Sequence, residues 1–240
     1  MNTALPCRRP LAVLILSVAA TLGPVLSAGI TPLRILQTIE PRFPSALYFE
    51  PISSGEARIV INVDDRGQLV DLLVAGYTAK PFADEAVAAL RQWRYEPAQE
   101  NGVPIGIRME LRFEFTAQGR VISLTPTETV NAFIGSVQGP VMNTRVCSPR
   151  ELDQPVAAVE TKAPYNPGTV QPEERRTVVI DFYVDESGRP RMPVVTKYAE
   201  VALAQAAVDA LSQWRFTAPR RGGKPVAVKL QQSFVFLASS

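Results

Sequence analysis

The stretch Gln92-Trp93-Arg94-Tyr95 recurs 121 residues further on as Gln213-Trp214-Arg215-Phe216, and these hold the only two tryptophans of the 240-residue chain. Working outward from that anchor, residues 59–115 align with residues 180–236 without a gap, and 18 of the 57 pairs are identical. Val63-Asp64 matches Val184-Asp185, Gly67 matches Gly188, Tyr77 matches Tyr198, and Gly102-x-Pro104 matches Gly223-x-Pro225. A gapless match of this length with both tryptophans in register marks a duplication, so the chain is two homologous domains.

Periodicity gives each copy the same elements. Ile59, Ile61 and Val63 alternate with Arg58, Val60 and Asn62, as do Val178, Ile180, Phe182 and Val184 with their neighbours, which predicts a strand with one buried face. Asp65-Arg66-Gly67 and Glu186-Ser187-Gly188 supply turn residues, and second strands are centred on residues 72–74 and 194–195. The period then becomes helical: Phe82, Ala83, Ala86, Val87, Leu90 and Trp93 are matched by Leu203, Ala204, Ala207, Val208, Leu211 and Trp214. Pro81 suits the first turn, Asp84 and Glu85 suit the positive end of the helix dipole, and Arg94 and Arg215 read as cations closing the negative end. Ile105, Ile107, Met109, Leu111, Phe113 and Phe115 form a long alternating strand. The second copy keeps Val226, Val228, Leu230, Phe234 and Phe236 but places Gln232 in the apolar register, at a bulge or beyond the covering helix.

The predicted fold class is therefore α+β: two tandem β-β-α-β domains, each a three-stranded antiparallel sheet covered by one helix, with the last strand at an edge. The domains are placed at residues 37–117 and 157–240. Residues 118–156 form a linker, with a short strand expected at residues 120–124.

Composition narrows the function. There is no histidine, the usual general base near neutral pH and the commonest zinc ligand, and no phosphate-binding glycine loop or convergent carboxylate cluster. No enzyme activity, metal or cofactor is expected. A net charge of +2 with scattered basic residues gives no nucleic-acid signal. Residues 1–28 read as an export signal: Arg8 and Arg9 precede the apolar run of residues 11–22, then come Gly23-Pro24 and the small residues Ser27 and Ala28. A retained N-terminal membrane anchor is the alternative, and would be the chain's one membrane contact. Cleavage would leave Cys147 without Cys7, as a buried small residue or as half of an intermolecular disulfide.

The first copy carries Glu40-Pro41-Arg42-Phe43-Pro44 before its hairpin, Val63-Asp64-x-x-Gly67 at the turn and Trp93-Arg94-Tyr95-Glu96-Pro97 after the helix. The second has Pro164-Tyr165-Asn166-Pro167, Trp214-Arg215-Phe216 and a displaced Pro219. Together these resemble the TonB C-terminal domain, over about two thirds of the chain. The resemblance implies protein partners in the cell envelope, such as outer-membrane transporters or inner-membrane motor components, and a periplasmic location. It implies capture of partner segments by β-augmentation, in which an extended peptide joins an exposed strand edge. An inner-membrane-anchored energy transducer, facing the periplasm, is the alternative. The family's glutamine before the Pro-x-aromatic-Pro motif is Glu40 here, and a proline-rich spacer is missing, so a cleaved chain could not carry force between membranes.

The residues this reading assigns to partner binding are Glu40, Pro41, Phe43 and Pro44 of the entry motif, Arg108, Glu110, Arg112 and Glu114 on the first edge, and Lys229, Gln231, Ser233 and Val235 on the second. Alternating charges on the first edge serve equally as a solvated face that discourages pairing. Trp93 and Trp214 read as core aromatics, and Asp64-Asp65 and Asp185-Glu186 as turn residues rather than acid-base pairs. Exposed edges could also pair with each other, within the chain or in a homodimer.

Overall fold

The computed structural model describes residues 29–117, 126–127, 142–168, 170, 174–197 and 200–237. The export segment and the strand expected at residues 120–124 lie outside them. In the first domain β1 (Ser54–Val63) is central, with β2 (Leu69–Tyr77) and β3 (Ile107–Thr116) antiparallel on either side. Helix α1 (Lys80–Leu90) covers one face. The second domain repeats this with β4 (Arg175–Val184) between β5 (Pro190–Lys197) and β6 (Ala227–Leu237), under α2 (Val201–Ser212).

Each core forms where the two periods meet. Ile59, Ile61 and Val63 pack with Phe82, Ala86 and Leu90 of α1 and with Leu111, Phe113 and Phe115 of β3. Val178, Ile180 and Phe182 pack with Leu203, Ala207, Leu211, Phe234 and Phe236 in the second. Full burial of each large side chain contributes about 1.5–3 kcal/mol. The β4–β6 register runs unbroken through Ile180 opposite Gln232, so Gln232 is not at a bulge; it is half-buried and its amide donates to the Ser233 carbonyl at 2.8 Å.

Two helix-end expectations are corrected. Asp84 does not sit in the first turn of α1; it pairs with Lys80 one turn before it, with Nζ to Oδ2 at 2.7 Å. Arg94 and Arg215 do not cap the helices, which close at Arg91 and Gln213. The chain is already extended at both arginines: Arg94–Glu96 pairs with Arg34–Gln37, and Arg215–Phe216 with Ala158–Glu160.

These short ladders explain the motifs. The Trp93 indole N–H donates to the Ile39 carbonyl at 2.9 Å and the Trp214 indole to Lys162 at 2.8 Å, in each case two residues before the first proline of the entry motif. The aromatic after the Trp-Arg pair passes directly under the hairpin turn, and Phe216 N–H donates to the Gly188 carbonyl at 2.9 Å. Gly67 and Gly188 have φ of +75° and +81°, and a Cβ there would lie 2.4 Å from the Tyr95 carbonyl oxygen and 2.1 Å from that of Phe216. Entry motif, turn glycine and Trp-Arg-aromatic are thus one packed unit. Burial in it pushes the Tyr95 phenol up to about 12.

Gly67→Ala and Gly188→Ala combine a left-handed backbone with a clash against fixed backbone, so each should destabilise its domain by at least about 2 kcal/mol. Gly102→Ala, with φ of +82° and open space around it, should cost only about 1 kcal/mol. Denaturant unfolding of the three variants checks this ordering.

Candidate interaction edges and the junction between domains

Between the domains, residues 143–147 form two short strands in succession. Asn143–Thr144 adds antiparallel to β2 opposite Tyr77 and Gly76, and Val146–Cys147 adds parallel to β6 opposite Ala227 and Val228. Arg145 stands between them: its N–H donates to the Ala75 carbonyl of the first domain, and its carbonyl accepts from Ala227 N–H of the second, both at 2.7 Å. The connector then leaves β6 at Pro149, where Ser148 and Glu151 form a capping box around a single 3-10 turn. Just beyond, the Asp153 carboxylate accepts from Gly222 and Gly223 N–H at 2.6 and 2.8 Å, which holds its pKa below the usual carboxylate value.

Side chains on the faces away from the helices complete the junction. Val60, Tyr183 and Met192 are buried together, with Leu73, Ala75 and Val146 packed against them. Arg191 of β5 reaches across to the Asp71 carboxylate and donates to the Leu72 carbonyl at 3.1 Å. Arg145 pairs with Glu186 in the second hairpin turn. Arg108 donates to the carbonyls of Met192 at 2.6 Å and Asp181 at 3.3 Å and lies 5.0 Å from the Tyr183 ring centre. Burial there lowers its pKa, opposed by Tyr183 and Asp181. An open cleft of about 530 Å³ beside this contact is lined by Leu72, Val74, Lys80, Asp84, Arg145 and Arg191 among others.

The sequence-assigned residues divide into three groups. In the entry motif Pro41, Phe43 and Pro44 are buried, Phe43 stacking on Tyr48 and meeting Phe82 edge-on, while Glu40 is exposed. On β3, Arg108 is taken up by the second domain. Glu110 is half-buried, with its carboxyl pushed up by burial, lowered by Arg58 and raised by Glu56. Arg112 bridges Glu56 and Glu114 at 2.8 and 2.9 Å. Pro126–Thr127 pairs with this edge opposite Leu111 and Glu110. On β6, by contrast, Lys229, Gln231, Ser233 and Val235 are all exposed. The first two bond to Asp181 on the adjacent strand, at 3.3 and 2.8 Å.

The model of the family described as Gram-negative bacterial TonB protein C-terminal matches residues 52–117 and again residues 173–237, more than half of the chain. The chain belongs to the TonB C-terminal family. Both matched segments run from the first strand to the last of one domain, so the TonB-family unit is present twice. Among solved structures, the solution NMR structure of the Pseudomonas aeruginosa TonB C-terminal domain matches at 20% identity, covering 39% of this chain and 93% of that one, with a TM-score of 0.28. No match is found among curated proteins. Membership of this family supports a TonB-like protein-interaction role for the chain. Among the described residues no group of three or more metal-ligating side chains converges, and no helix is long and apolar enough to cross a membrane.

Sequence reasoning missed the junction. Its signal was present: Val60 interrupts the polar face of β1, and Leu72, Leu73, Val74 and Ala75 form an unbroken apolar run where alternation would suit a half-exposed strand. Cys147, left open between two roles, is buried, and burial raises its thiol pKa, which disfavours both the thiolate and an intermolecular disulfide in the folded chain.

The Arg191–Asp71 pair joins the domains with side chains 30% and 26% exposed. A double-mutant cycle with Arg191→Met and Asp71→Asn should give a coupling of about 1–2 kcal/mol in denaturant unfolding, less than a fully buried pair because water still screens it.

Proposed function

We propose that this protein is an exported, periplasmic TonB-family interaction protein that captures extended segments of envelope proteins by adding them as strands to an open sheet edge. The observation that carries the reading is β6: from Lys229 to Phe236 it pairs with β4 on one side and, among the described residues, with no strand on the other, until the Asn166 amide donates to the Leu237 carbonyl at 2.7 Å. Such an edge presents a row of backbone N–H and C=O groups, and a peptide that satisfies them gains affinity from main-chain hydrogen bonds and selectivity from alternate side chains. Outer-membrane transporters with extended periplasmic segments are the partners the family suggests.

Strand capture makes a positional prediction. A photo-crosslinking amino acid placed at Ser233 or at Glu114, in the last strand of either domain, should yield protein adducts in cells of the native host from at least one of the two positions. The same group at Gln205, on the exposed side of α2, should yield none. Adducts from Gln205 with none from either strand would contradict docking at an edge.

A further inference from the structure

We infer that the duplicated domains have divided their roles: the second alone captures the partner strand, the first is its scaffold, and the captured segment is uncharged and apolar where it meets Val235 and Leu237. This rests on the strand-capture reading above and adds which edge serves and what chemistry it selects.

The edges of the first domain are committed within the chain. On β2, Asn143–Thr144 pairs with Tyr77 and Gly76, and Arg145 N–H takes the Ala75 carbonyl. Further along, side chains replace a neighbouring strand: Arg191 donates to the Leu72 carbonyl, and the Asp71 carboxylate accepts from Leu72 N–H at 2.9 Å. On β3, Pro126–Thr127 holds the middle of the edge, Arg108 is bound into the second domain, and Arg112 and Glu114 are bound to each other. A strand arriving there would have to displace the chain's own segment and face a half-buried carboxylate.

The last strand of the second domain is treated differently. Its own connector occupies only Ala227 and Val228 before Pro149, which has no N–H to give a ladder, turns the chain away. Among the described residues that leaves the edge clear from Lys229 to Phe236, up to where the Asn166 amide donates to the Leu237 carbonyl at 2.7 Å, enough for a strand of roughly 25 Å. Along the outward row, Lys229 is neutralised by Asp181 and Gln231 is bonded to the same carboxylate, so no unmatched charge awaits a partner. Val235 and Leu237 are 52% and 54% exposed. A facing aliphatic or aromatic side chain covers them, whereas a facing charge loses water against two aliphatic side chains, with Arg175 opposite Leu237 as a nearby cation.

The test uses the full chain and two fluorescein-labelled nine-residue peptides, one alternating valine with threonine and one with two of those threonines replaced by glutamate. Calorimetry should count one neutral peptide per chain, with the glutamate peptide about tenfold weaker or worse. Val235→Lys with Leu237→Lys should weaken the neutral peptide by a similar factor, and Glu114→Lys should leave it unchanged, thermal melts confirming that both variants fold. Two peptides per chain, equal affinity for both peptides, or loss with Glu114→Lys alone would overturn the division of roles while leaving strand capture standing. Failure of both peptides to bind would overturn both.

Discussion

One residue's backbone holds the two halves of this molecule together. Arg145 gives its N–H to the first sheet and its carbonyl to the second, so a five-residue connector is at once an edge strand of both. An exposed strand edge is a liability that proteins cover, charge or bend away. Here the connector covers the hairpin edge of one copy and the beginning of the last-strand edge of the other. These are non-equivalent edges, so the copies are not related as the halves of an isologous dimer, in which each would present the same patch. The apolar contact of Val60, Tyr183 and Met192 and the Arg108 and Arg191 bridges then lock what the connector positions.

That asymmetry gives two similar sequences different surfaces. Arg108 and its counterpart Lys229 occupy the same place in the repeat, yet the first reaches into the other domain and the second stays on its own sheet with Asp181. Asp71 pairs with Arg191 across the junction, but their counterparts in the repeat are Met192 and Val70, which cannot form the reciprocal bridge. Duplication supplied two copies of one interaction domain, and substitutions on the faces away from the helices made the pair heterologous. TonB-family membership describes each copy alone; the junction belongs to the tandem.

The elements of each domain were legible because local period and tertiary burial agree there: alternation in β1, β3, β4 and β6, and helical spacing in α1 and α2. The misreadings fall where one residue serves two masters. Arg94 and Arg215 follow an apolar helical run closely enough to look like caps, but tertiary pairing with Arg34–Gln37 and Ala158–Glu160 has already drawn the chain into extended form. Pro41, Phe43 and Pro44, which the family resemblance assigns to partner binding, are buried in the packed unit around the hairpin turn, a duty that the motif alone does not display. Residues 143–147 show no clear alternation and so carry no strand signal in the sequence; a strand with different neighbours on its two sides has no single polar face to display.

Native-state amide hydrogen exchange at Arg145 and Ala227 tests the account most directly, because these two N–H groups make the bonds that join the sheets. Protection at both should approach that of the central strands at Ile61 and Ile180. Exchange at the rate of an exposed loop, with the central strands still protected, would mean that the domains are separate bodies and that the shared strand does not hold them.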